Sequence, residues 1–161
     1  MAMTTALVAF ATRNGSTQQV AEDIAETLSL EGIQVDCRPA RTVREPLRRY
    51  DLVVLGAPLY NGRWHRDARR FLKRHRTGLP PIAVFGVGPR TDHGPTWLRS
   101  REQLDRALAK FPWIMPTTVA LFGGVDPPGR RNRRDLRDWV AIRTWTHRLT
   151  QFTARHTPPS F

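Results

Sequence analysis

Short apolar runs alternate with amphipathic runs of helical spacing from one end of this chain to the other, and that alternation is the signature of a parallel α/β sheet. "TALVAFA" (5–11) reads as a strand. "TQQVAEDIAETLSLE" (17–31) sets Val20, Ile24, Ala25, Leu28 and Leu30 near helical spacing, with acids opposite, and Gly32 stops it. "IQVDCR" (33–38) alternates as a half-buried strand does, and after a basic link "YDLVVLGAPLY" (50–60) is apolar enough for the centre of a sheet. "WHRDARRFLKRH" (64–75) puts Trp64, Ala68, Phe71, Leu72 and His75 on one helical stripe. Strand 81–88, helix 96–111, strand 117–124 and a last helix over about 136–154 follow, with a tail expected to fray.

Five strands joined by right-handed crossovers admit two windings, the order 2-1-3-4-5 and half of a dinucleotide-binding sheet; the strand count favours the first. Without repeats or a dividing linker, the 161 residues read as one domain, long enough to bury roughly two-thirds of its unfolded surface. A doubly wound sheet binds ligands at the carboxyl ends of its strands where the winding reverses, here the loops 12–17, 57–65 and 88–95.

The first of these, "TRNGST", offers the side-chain donors Thr12, Asn14, Ser16 and Thr17 around Gly15, which permits a tight turn. It opens directly into a helix, whose N-terminus carries partial positive charge and unpaired N–H groups, a combination suited to a phosphate monoester. It lacks the lysine of a nucleotide-binding P-loop and the spacing of GxGxxG. The competing role for these residues is a helix N-cap, which needs one hydroxyl rather than several. No HxxxH, CxxC or carboxylate cluster marks a metal site, and no GxSxG marks a nucleophile.

"TRNGST" followed by a helix resembles the FMN-phosphate loop of flavodoxins. "YDLVVLGAPLYNGRWHRDARRFLKRH" looks like the matching segment of bacterial flavodoxin-domain proteins related to menaquinone-dependent protoporphyrinogen oxidase, in which an apolar strand ends in a small-x-x-Tyr-x-Gly turn and enters a basic helix. "LFGG" (121–124) and "RDWVAIRTW" (137–145) resemble that group's last strand and final helix. The resemblance implies a three-layer flavodoxin-like fold with a five-stranded parallel sheet, and FMN with its phosphate on the loop Thr12, Arg13, Asn14, Gly15, Ser16 and Thr17. It implies an isoalloxazine ring bordered by Ala57, Pro58, Leu59, Tyr60, Asn61 and Gly62, with Tyr60 or Trp64 stacking on a face; Trp64 reads equally well as the first core residue of a helix. Gly88, Pro89, Asp92 and Gly94 would approach the pyrimidine edge. His93 is a candidate proton donor beside flavin N5, against its reading with Asp92 as a polar loop pair. Flavodoxins cover the ring with an aromatic from this last loop; here the nearest are His93 and Trp97, which implies a more open face suited to a bulky substrate. The oxidase also carries a long insertion near its last strand, where this chain has only residues 125–135; if that insertion shapes the oxidase's substrate or membrane site, the resemblance extends to the fold and FMN and not to the porphyrinogen.

The net charge of +12 is carried almost wholly by arginine, Lys73 and Lys110 being the only lysines. Arg66, Arg69, Arg70, Lys73 and Arg74 form one basic helix face and "GRRNRR" (129–134) a second patch. Such patches suit an anionic membrane surface, an acidic redox partner protein or a carboxylated small-molecule substrate; a solvated basic face is the plain alternative. Nucleic acid is disfavoured, since no recognised motif accompanies the charge. Positive surroundings favour reduced flavin, against a low-potential carrier and for an oxidoreductase acting on a substrate or quinone. Two further readings stand beside it: the same fold without flavin, its cleft given to another ligand, and a carrier docking on an acidic partner. The lone Cys37 and the absence of a recognisable signal peptide suggest a cytoplasmic protein, with a membrane-peripheral position open to it. Monomer and dimer remain equal alternatives.

Overall fold

Strand residues that alternate in direction here meet a covered face on both sides. The computed structural model describes residues 3–60, 63–88, 94–126, 128–129 and 131–156. In chain order the elements are β1 (Thr5–Phe10), α1 (Ser16–Leu30), β2 (Gln34–Pro39), a 3-10 turn (Ala40–Thr42), β3 (Leu52–Tyr60), β4 (Arg63–Trp64), α2 (Arg66–Arg74), β5 (Ile82–Val87), α3 (Gly94–Ala109), β6 (Thr118–Phe122) and α4 (Trp139–His156). The sheet runs β2-β1-β3-β5-β6, parallel throughout, while β4 pairs antiparallel with the end of β3. With two-residue β4 set aside, this is the expected winding 2-1-3-4-5.

Period-2 side-chain direction divides the core into two layers. Leu7, Ala9, Val53, Leu55 and Val84 face Ala68, Phe71 and Leu72 of α2 and Leu104 and Leu108 of α3. Ala6, Val8, Phe10, Val54 and Phe85 face Val20, Ile24 and Leu28 of α1 and Ile142, Trp145 and Leu149 of α4. The stripe expected on 64–75 is buried at every position. Phe85, Phe122 and Trp145 form an aromatic triad with centroid separations of 5.7–6.1 Å, which locks α4 onto the sheet.

No α-helix connects β2 to β3 among the described residues. Val43, Leu47 and Tyr50 of that link cover the sheet instead, tied to α2 where a His75 ring nitrogen lies 3.0 Å from the Val43 carbonyl. Two helices start later than expected. The helix read from residue 64 begins at Arg66, because Trp64 and Arg63 pair back onto Leu59 and Tyr60. The last helix begins at Trp139 rather than 136: the Leu136 N–H donates to Gly124 O at 2.9 Å, holding the chain extended, and Asp138 then caps the helix by accepting from the Ala141 N–H at 3.0 Å.

Candidate functional site

The β1–α1 loop is built by its glycine. Ala11 N–H still donates to Gly56 O at 2.9 Å, extending the sheet register past Phe10, and the chain then turns. Gly15 sits at the N-cap of α1 with φ 87°, the left-handed region that a side chain strains to adopt, and its N–H donates to Thr12 Oγ1 at 2.9 Å. No side chain caps α1, which removes the N-cap role from all the hydroxyls of the loop. The first backbone bond into the helix is Gln19 N–H to Gly15 O at 3.1 Å, so the amides of its opening turn have no partner within it. Beneath them Thr17 is fully buried and its Oγ1 has no hydrogen-bond partner. A buried hydroxyl with no partner is uncommon enough to require a reason. Arg13 and Asn14 are exposed at the rim.

The far side of this loop is held by the segment before α4. Arg137 donates through Nη1 to Gln19 Oε1 and to Ser16 O at 3.4 Å, and its Nε and Nη2 grip the Asp135 carboxylate at 2.9 and 2.6 Å, which pulls that carboxyl below its usual range. Between them lies a hollow of about 290 Å³ that Asn14, Ser16, Arg133 and Arg137 help to line. The expected 129–134 patch is partly turned to structural use, since Arg133 donates to Asp126 O and Arg134 bonds the Asp126 carboxylate. Arg137 was invisible to motif spacing because its partners Ser16 and Gln19 lie 121 and 118 residues away.

The 57–65 turn departs from expectation. Trp64 is fully buried in β4, its indole N–H donating to Ala57 O at 3.2 Å, so its ring belongs to the core and cannot stack on a ligand. Ala57 is covered completely and Pro58 is buried, because both lie inside the sheet register opposite Gly86 and Val87. Of the described residues expected at the ring, Leu59 and Tyr60 are the ones this turn leaves half-buried. Tyr60 carries the Arg13 guanidinium 5.0 Å from its ring centroid, and burial pushes its hydroxyl upward against the pull of that charge. Gly88 is required by packing: a Cβ there would stand 3.0 Å from Leu59 O. Gly94 opens α3 at φ 78° with free space around it. Asn61, Gly62, Pro89, Asp92 and His93 lie outside the described residues.

His65 caps α2, its Nδ1 accepting from the Asp67 N–H at 3.1 Å, which requires that nitrogen to be unprotonated. Burial lowers its pKa, with Arg66, Arg69 and Arg13 adding to the effect and Asp67 opposing it. The basic face expected on this helix divides: Arg66 and Arg69 turn towards Arg13, whereas Arg74 donates to Val43 O at 3.1 Å.

The flavodoxin domain family model matches residues 7–129. The chain belongs to the flavodoxin domain family. Over 84 residues this flavodoxin-domain protein is 38% identical to protoporphyrinogen IX dehydrogenase [quinone] of Escherichia coli (strain K12), a match covering 50% of this chain and 46% of that one. It therefore spans about half the length of the curated relatives it matches. Among solved structures, a short-chain flavodoxin associated with a bacterial microcompartment superposes with a TM-score of 0.67 at 19% identity, covering 94% of this chain and 99% of that one. The Fusobacterium nucleatum flavodoxin bound to flavin mononucleotide gives 0.56 at 15% identity, covering 92% and 98%. At those identities the likeness is one of fold.

Proposed function

We propose that this flavodoxin-domain protein binds FMN and acts as an oxidoreductase, taking electrons from a bulky anionic substrate of the porphyrinogen type and passing them to a quinone. The observation that carries the reading is the fully buried, unpartnered Thr17 hydroxyl beneath the uncapped start of α1. An ester phosphate in front of Gly15 would accept from that hydroxyl and from the opening amides of α1, and Asn14 and Ser16 stand at the same mouth. Support for the substrate class comes from the Escherichia coli relative, whose name specifies protoporphyrinogen IX and a quinone.

FMN bound there would supply reversible one- and two-electron transfer. The chain's own part is to hold and orient. Gly15 gives the phosphate its approach, Arg137 fixes the loop through Ser16 O, and Leu59 and Tyr60 form the apolar floor beside it. A reducing cytoplasm fits the free, half-buried Cys37, whose thiol burial pushes up to about 11; a quinone acceptor would place the protein at the membrane surface.

Purified protein heated and centrifuged should release FMN, identified by absorbance and mass. A colourless protein that also ignores added FMN in titration overturns the reading. The covering of Ala57, Pro58 and Trp64 favours a second reading, in which the same loop holds a phosphorylated ligand other than flavin. That reading predicts that inorganic phosphate raises the melting temperature while FMN adds nothing further.

A further inference from the structure

Positive charge beside the phosphate loop is gathered, not spread. Arg13 from the β1–α1 loop, Arg63 from β4, and Arg66 and Arg69 from α2 line one open cleft of about 360 Å³, together with Tyr60 and His65. Two of the four guanidiniums are held in place, Arg13 over the Tyr60 ring and Arg69 by donating from Nε to Trp64 O at 3.1 Å. Among the described residues, neither Arg63 nor Arg66 makes an ion pair. The one carboxylate at this end of α2, Asp67, lies 4.0 Å from His65 Nδ1. Four like charges around one hollow repel one another, and an anion placed among them relieves that repulsion.

The chemistry of the anion follows from the groups. Guanidinium forks match carboxylates in paired, parallel hydrogen bonds. The cleft is open to water, where a single ion pair is worth at most about fivefold in affinity, so a monocarboxylate would be held weakly. Several forks from three separate elements suit a ligand with more than one carboxylate. The cleft also begins at Tyr60, the residue that the flavin reading sets against the ring. We infer that the Arg13–Arg63–Arg66–Arg69 cleft binds the carboxylates of a substrate bearing at least two of them, and so orients it towards the flavin. The orienting role rests on the flavin reading; the carboxylate site itself does not.

The probes are protoporphyrin IX, which carries two carboxylates, and its dimethyl ester, which has the same ring and none. Binding is read from the porphyrin absorbance, with the protein both flavin-free and saturated with FMN. The diacid should bind about tenfold more tightly than the ester, from two exposed pairs. The double variant R63Q/R66Q should lose most of that difference without changing ester affinity, and its melting curve reports that it remains folded. Equal binding of diacid and ester by the native protein overturns the inference, as does a double variant that keeps the preference. If the double variant loses only its binding to phosphatidylglycerol vesicles, the cleft is a membrane contact and the inference fails. Failure to bind FMN with the diacid preference intact sinks the flavin reading alone, and the converse sinks the carboxylate site alone.

Discussion

Thr17 sets folding against binding at a single side chain. Its buried Oγ1 is unsatisfied in the free fold, and such a group carries a desolvation cost of about 1–3 kcal/mol. Replacing it with valine keeps the shape and removes the unpaired hydroxyl. Thr17→Val should therefore leave the free protein as stable or about 1 kcal/mol more stable, while weakening FMN about tenfold or more through loss of a bond to a charged acceptor. Chemical denaturation and FMN titration of the same variant read the two signs separately, and a variant weakened in both would make the hydroxyl a structural group. Gly15→Asp tests the same mouth from outside: the space before Gly15 is open, and Asp is among the residues that best tolerate the left-handed φ that strains side chains there. Its carboxylate therefore confronts the phosphate and FMN binding should be abolished, with a melting curve to separate backbone strain from lost binding. His65 and His75 carry a pH dependence. Burial lowers both pKa values from the ordinary 6.5, so the unfolded chain binds protons more readily than the fold does. Their contribution is fully present above the unfolded value and is lost as pH falls through the lowered folded values. The urea midpoint should drop between about pH 7.5 and about pH 5.5, a window above ordinary carboxylate titration, and His75→Phe should flatten the drop.

At the scale of elements, long periodic segments were legible in the sequence and short cooperative ones were not. The stripe Trp64, Ala68, Phe71, Leu72 and His75 is buried as its spacing requires, and the strand order follows from the count of apolar runs. Two-residue β4 has no periodicity to read; it exists because Trp64 finds both a backbone partner at Leu59 and an acceptor at Ala57 O. That pairing decides between the two readings of Trp64, stacking on a ligand or packing in the core, in favour of the core. Trp64→Ala should accordingly cost about 3–5 kcal/mol, the range for emptying a large buried aromatic site, and denaturant unfolding will measure it. A loss under about 1 kcal/mol would place the indole outside the core after all. The turn of the β1–α1 loop was legible because its signal is local, one glycine at the entrance to a helix. Its brace was not, since Arg137 reaches it through the fold rather than along the chain.

For the whole molecule, net charge decides what kind of redox partner suits it. At +12 the surface repels cations and draws anions, and the uncompensated arginines concentrate that field at the cleft beside Tyr60. A positive charge about 10 Å from a developing negative one, at an effective dielectric of about 20, contributes about 1.7 kcal/mol, or about 70 mV for one electron before screening. Reduction adds negative charge to a flavin, so this field would raise the potential of a flavin bound beside the cleft. Under the proposed function, such a potential would suit accepting electrons from a substrate better than delivering them at low potential. Mobile ions cut the field off over a screening length of about 8 Å at physiological salt and about 30 Å at 0.01 M. The midpoint potential of the FMN-loaded protein should therefore fall as salt is added, and R63Q/R66Q should show a lower potential with a shallower salt slope. Spectroelectrochemistry at low and high ionic strength measures both quantities in one series. A potential indifferent to salt and to the two arginines would mean that the charge lies too far from the ring to govern the reaction, and the basic surface would then owe its composition to something other than redox tuning.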